Sequence, residues 1–216
     1  FASGTVVNAV PAKAQCEIAC TAEELEKLRE AAQKAGTEFE ITPTEGGASI
    51  LSIGQAAHAS TPWNGVNAAS HLVKLLYEVF GEKAGVFFRF AYEKIGLHHD
   101  GEPMGVKLSD EPSGPLTFNL GLVNVDKNSC SLTVDIRYPA TLDGQEISAT
   151  LEQYGPEEVL FYAAQVLSRL MDCMDVAVYT VANGDYARLF SATSKDARKL
   201  GNSIKYTEMD DLYGEL

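Results

Sequence analysis

The densest group of residues able to do chemistry is Gly54-Gln-Ala-Ala-His58-Ala-Ser-Thr-Pro62-Trp-Asn-Gly65-Val-Asn67-Ala-Ala. Here a histidine ends a strand-like run, a loop with Pro and Gly follows, and a helix begins. Such a junction is where a rigid scaffold presents a side chain to a ligand. A second group, His98, His99 and Asp100, sets three metal-capable side chains in a row within a Gly-rich loop. Adjacent residues do not converge on one ion without distant partners, so a solvated loop is the default expectation and no metal ligand is assigned. His71 falls inside a helical pattern, where a surface or core role is expected. Cys16 and Cys20 share one face of a strand, and four residues at ~3.3 Å rise separate their Cα atoms by ~13 Å, too far for a shared metal or a disulfide. With Cys130 and Cys173 they read as free thiols, the first two as small buried hydrophobes. The sequence has no G-x-x-x-x-G-K-[ST], no G-x-G-x-x-G between strand and helix, no H-E-x-x-H, no G-x-S-x-G and no paired C-x-x-C.

The elements that must hold these groups follow from periodicity. Ala14, Cys16, Ile18 and Cys20 alternate with Lys13, Gln15, Glu17 and Ala19, which predicts a half-buried strand over 13–20. Thr21 and Glu24 form a capping box for a helix carrying Leu25, Leu28, Ala32 and Ala35, with Gly36 expected as its left-handed stop. Strands are expected at Glu38–Thr42 and Ala48–Ala57 around a Pro43–Gly47 turn, then a helix from about Asn67 to Phe80. A further helix at Val86–Ile95 and a loop through His98–Pro103 lead to strands at Leu116–Val125 and Cys130–Tyr138. In the last, Arg137 alternates onto the face away from the core. Asp143–Gln153 reads as a short helix, and the pattern breaks at Tyr154-Gly155-Pro156. Beyond the break the sequence predicts an amphipathic helix bearing Leu160, Ala163, Leu167, Leu170 and Met171, with its own apolar cover. Strands Val176–Val181 and Tyr186–Ala192 follow across Asn183–Gly184, then short helices at Ser194–Leu200 and Glu208–Leu216. The expected class is α+β: a two-layer sandwich of an antiparallel sheet covered by helices over 1–153, and a distinct, smaller C-terminal α/β segment over 155–216.

The loop around His58 closely resembles the G-x-A-x-H-x-S-x-P-x-x-G-x-N-A signature in the lid or dimerisation domain of the aminoacylase and carnosinase family of zinc metallopeptidases. Asn8-Ala-Val-Pro11 and Asp135-Ile-Arg137-Tyr-Pro139 resemble two more of that family's segments. The long insertion between them, with Thr117-Phe-Asn-Leu-Gly121, looks most like the bacterial dipeptidase V branch, whose enlarged lid works within a monomer. The resemblance implies that His58 donates to the oxyanion of a tetrahedral intermediate. It implies that Asn8 helps hold the carbonyl region or the substrate backbone, and that Arg137 offers its fork to a dipeptide's terminal carboxylate. Left open are a turn role for Asn8 and a cross-strand surface role for Arg137.

The sequence departs from the family in carrying no recognisable H-x-D motif, bridging Asp, Glu-Glu pair or final ligating His. The expectation is a lid of a zinc-dependent dipeptidase that is not hydrolytically competent alone, with zinc in a full-length parent and no cofactor in this chain. Residues 156–216 more weakly resemble the opening of a GAF-type sensor domain. The rival readings are a non-enzymatic sensor or dimerisation module carried by 155–216, or a chimera.

Among 216 residues, 17 Lys and Arg face 30 Asp and Glu, a net charge of -13 that repels phosphate backbones and anionic lipids alike. Nucleic acid and membrane are therefore not expected partners; a dipeptide reached through a catalytic domain, and a second copy of the chain, are. No leader pattern opens the sequence, and a start at Phe1 that runs straight into strand-like residues reads as a fragment or processed product. The expected compartment is the cytoplasm.

Overall fold

The computed structural model describes residues 1–127 and 129–152, together with the strands at 177–182, 186–192 and 203–205. Two compact units, Phe1–Leu151 and Glu152–Leu216, divide the chain.

The first unit is built on β2 (Lys13–Ala19) and β4 (Gly47–Ile53), whose period-two patterns register face to face. Ala14 lies opposite Ser52, Cys16 opposite Ile50 and Ile18 opposite Ala48, so one face of the pair is buried. Burial pushes the Cys16 thiol up to about 12, as befits a small core hydrophobe. β1 (Ala2–Ser3) pairs with β2 on one side and β7 (Thr117–Val125) on the other. Two residues carry no periodicity, so β1 leaves no trace in the sequence, yet it joins the halves of the sheet. With β3 (Glu38–Thr44) and β8 (Cys130–Arg137) the antiparallel order is β3-β4-β2-β1-β7-β8.

Helices α1 (Ala22–Lys34) and α2 (Ala68–Phe80) pack on each other and on this sheet. Thr21 and Glu24 form the expected capping box, Thr21 Oγ1 accepting from the Glu24 amide at 3.2 Å and the Glu24 carboxylate accepting from the Thr21 amide at 2.9 Å. Leu28 of α1 and Leu72, Val73, Leu75 and Leu76 of α2 fill the core between the layers. α3 (Val86–Phe90) runs into a wider π-type turn over Ala91–Ile95. A hairpin of two short strands, β5 (Ser109–Asp110) and β6 (Gly114–Pro115), precedes β7, and α4 (Gly144–Glu152) follows β8. The α+β class and the helix-covered antiparallel sheet are as expected. No helix of the described residues is long and apolar enough to cross a membrane.

Three local expectations fail. Gly36 is not left-handed: α1 closes with the Ala35 amide on the Ala32 carbonyl, and Ala35 is already extended at φ -74°, feeding β3 directly. Pro43 belongs to β3, opposite Ala48, rather than to a turn. β3 is an edge strand, where a missing N–H is tolerated, and the turn narrows to Glu45 and Gly46, the latter at φ +80°. The strand expected to reach Ala57 stops at Ile53, because the next residues exchange their partners.

In the second unit, β9 (Ala177–Ala182), β10 (Tyr186–Ala192) and β11 (Ser203–Lys205) form an antiparallel sheet ordered β11-β10-β9. The helix expected after Pro156, the turn at Asn183–Gly184 and the helices at 194–200 and 208–216 lie outside the described residues, as does the packing of Leu160, Leu167 and Leu170.

Candidate functional site

Past Ile53 the chain keeps its place beside the segment before β2 by main-chain bonds. The Gly54 amide donates to the Ala12 carbonyl at 2.8 Å, the Val10 amide to Ala57 at 2.8 Å, and the Ala59 amide to Asn8 at 3.0 Å. Ala9 and His58 form an antiparallel bridge. Gln55 and Val66 exchange two bonds of 2.9 Å, and the Ala68 amide reaches the Pro11 carbonyl, so the loop 56–65 springs from a closed neck. That neck requires glycine at 54, since a Cβ there would meet the Val66 carbonyl oxygen. Asn8 lies in the turn just before the Ala9–His58 bridge, next to Ala9 in the chain, and both Asn8 and His58 are exposed.

The imidazole is held by its own loop. The Ser60 amide donates to His58 Nδ1 at 3.2 Å, and Ser60 Oγ lies 2.7 Å from the same nitrogen. An amide can only donate, so Nδ1 is an acceptor and the neutral ring carries its proton on Nε2. The outward nitrogen is therefore a donor.

Two side-chain amides, Asn119 buried and Asn67 half-buried, bind this neck to β7. Asn119 Nδ2 donates to the carbonyls of Ala9 at 2.9 Å and Val7 at 3.3 Å. Asn67, which caps α2 by accepting from the Ser70 amide at 3.1 Å, donates to the Leu120 carbonyl at 2.9 Å. Asn119 faces Asp135 across the β7–β8 ladder, and Thr117 faces Arg137. A continuous run of contacts thereby joins Arg137, through β7, to the Ala9–His58 bridge. Arg137 is exposed on the outer strand and away from the core, as its alternation predicts. Asp110 pins the loop beyond it, accepting from the Thr141 amide and hydroxyl at 3.1 and 2.9 Å. Hydrogen bonds from Ser113, set against partial burial and joined by those from Thr141, hold its carboxyl well below the usual range.

Ser60, Asn67, Asn119 and Asp135 escaped notice as site residues. The available signal was a polar residue inside an apolar strand run, Thr117-Phe-Asn-Leu, and it names Asn119 without naming its partners.

A cavity of about 250 Å³ lies beside the loop, walled by Trp63, His99, Phe118 and Asn119. The Trp63 and His99 rings are 6.1 Å apart, and Trp63 remains 51% exposed. Burial, then the Lys74 ammonium, pushes the His71 imidazole down at the back of this cavity.

Among the described residues, His98, Asp100 and Glu102 form a group with ligand atoms within 4.8 Å of one another. His99 is not a member, so the group differs from the run His98-His99-Asp100 in the sequence. Lys107 Nζ already spans both carboxylates at 3.1 Å each. Burial opposes ionisation of Asp100, but the Glu102 amide and Lys107 outweigh it and its carboxyl sits below the usual range. A donor set with an ammonium seated in it does not fit a zinc centre.

A family model described as the peptidase dimerisation domain matches residues 45–160, from the β3–β4 turn through α4. The Bacillus subtilis strain 168 protein named "Putative dipeptidase YtjP" is 28% identical over 156 residues, 70% of this chain and 34% of that protein. A Staphylococcus epidermidis protein named "Putative dipeptidase" is 30% identical over 145 residues, 64% of this chain and 31% of its own length. The chain spans about a third of the length of these two relatives.

Proposed function

Because the chain belongs to the peptidase dimerisation domain family, we propose that residues 1–153 form the lid of a zinc-dependent dipeptidase. The lid recognises the substrate and stabilises the oxyanion, while the nucleophile comes from a catalytic part carrying the zinc. The observation that supports this reading is His58 itself, exposed beside a closed neck, with Nδ1 taken by the Ser60 amide so that the neutral ring carries its donor at Nε2.

Zinc in such a part would acidify the attacking water. The described residues of this chain do not fit a zinc site, and no hydrolytic step is assigned to them. His58 Nε2–H donates to the oxygen on which charge develops, a bond whose strength grows toward the transition state. Asn8 holds the substrate backbone or the same carbonyl region. Arg137 meets the terminal carboxylate and so measures substrate length. Dipeptides are the proposed substrates, the cytoplasm the proposed compartment, and a second copy of the chain the proposed protein partner.

The 216-residue chain should take up no stoichiometric zinc and cleave no dipeptide; metal analysis showing tightly bound zinc together with dipeptidase turnover overturns the lid reading. In a form joined to a zinc-bearing catalytic part, His58→Ala should lower kcat by about 10²–10³-fold with KM little changed. Unchanged kcat in that variant removes His58 from the chemistry.

A further inference from the structure

Asp135 Oδ1 accepts from Arg137 Nε at 3.0 Å, and among the described residues this is the guanidinium's only ion pair. A guanidinium has a side edge that includes Nε and an end edge made of the two terminal nitrogens. Asp135 takes Nε and leaves the end edge, Nη1 and Nη2, without a partner among the described residues. Residues two apart on a strand leave the same face, so the pair is fixed by β8 itself. Asp135 is the anchored member, its side chain 18% exposed against 43% for Arg137. In register with Arg137, the Thr117 hydroxyl is buried and has no hydrogen-bond partner among the described residues.

We infer that Asp135 is a positioning residue: by occupying Nε it turns the free end edge of Arg137 outward, as a carboxylate fork. The inference rests on the proposed role of Arg137 toward the terminal carboxylate. Two effects compete here. The Asp135 charge reduces the pull of Arg137 on an anion, whereas its hydrogen bond removes the freedom of a long side chain. At an exposed edge charge is screened by water, so orientation wins. Asn at 135 separates the two, since its amide oxygen still accepts from Nε but carries no charge.

The test titrates the 216-residue chain with L-alanyl-L-alanine and with its C-terminal amide, following backbone and Arg137 Nε–H signals by NMR. The readout is the preference for the free carboxylate, because mere loosening of β8 weakens both ligands alike. Asp135→Ala should cut that preference about fivefold, the worth of one hydrogen bond. Asp135→Asn should restore it to within about twofold, and Arg137→Ala should abolish it. If Arg137→Ala abolishes the preference but Asp135→Ala leaves or raises it, the positioning role falls and the carboxylate role of Arg137 stands. If the chain shows no preference, or Arg137→Ala leaves it intact, the proposed role of Arg137 falls and the inference with it.

Discussion

The neck below His58 and the outer strand carrying Arg137 solve the same problem, presenting one polar side chain, by opposite means. At the neck, main-chain bonds to the carbonyls of Ala12, Ala57, Asn8, Val66 and Pro11 close the chain on itself, and the imidazole is held by the amide of its own loop. At β8 there is a neighbouring strand on one side only, and the guanidinium is held by one side-chain bond. Main-chain bonding tolerates changes of side chain but no intrusion on the backbone. A side-chain bond on an edge is lost by a single substitution that leaves the fold alone.

The sharpest way to break this comparison is Gly54→Val, which drives a side chain into the Val66 carbonyl. Overpacking of this kind should cost about 2–3 kcal/mol. Trp63 is the chain's single tryptophan and sits in the loop above the neck, so urea unfolding followed by its fluorescence reads this unit. Asp135→Ala, followed the same way, should stay within about 0.5 kcal/mol of the parent. Equal losses in the two variants would abolish the distinction between neck and edge.

Asn119 is where the two regions meet, and its replacement sharpens the comparison. Asn119→Ala leaves the Ala9 and Val7 carbonyls without their donor and should destabilise by about 1–3 kcal/mol. It should shift the NMR signals of Ala9 and His58 as well as those of Asp135, its partner across the ladder. Shifts confined to β7 and β8 would mean that the neck stands without this link.

Much of this arrangement was legible in the sequence. The capping box at Thr21, the Asn67 start of α2 and the alternation of β8 are local, so short-range pattern suffices. His58, Asn8 and Arg137 each stand in a motif, and the bridge joins His58 to Ala9, the residue after Asn8. What pattern could not give is contact across the chain. Asn119 reaches back 110 residues to Ala9, and β1 is two residues whose meaning lies wholly in their neighbours. Gly36 misleads for the same reason: a glycine after a helix predicts a left-handed stop, but here Ala35 already closes α1 in an extended conformation that leads into β3.

His71 gives the smallest effect and tests whether the layer behind the neck is as closed as the neck itself. It stands on α2 half-buried, beside a groove also lined by Lys27, Glu30, Lys34, Lys74 and Glu78. Burial, then the Lys74 ammonium, lowers its affinity for a proton in the folded chain relative to the ordinary 6.5. Between the folded and unfolded values the unfolded chain therefore binds more protons, and stability rises with pH across that interval. The contribution is complete above 6.5 and is lost as pH falls through that value toward the lower folded one. His71→Gln removes the group that titrates, so the Trp63-detected urea midpoint of the variant should fall less than the parent's as pH is lowered from 7.5 to about 5.5. The same fall in both chains would mean that water reaches the imidazole in the folded state, and that the α1–α2 layer is open where the neck is shut.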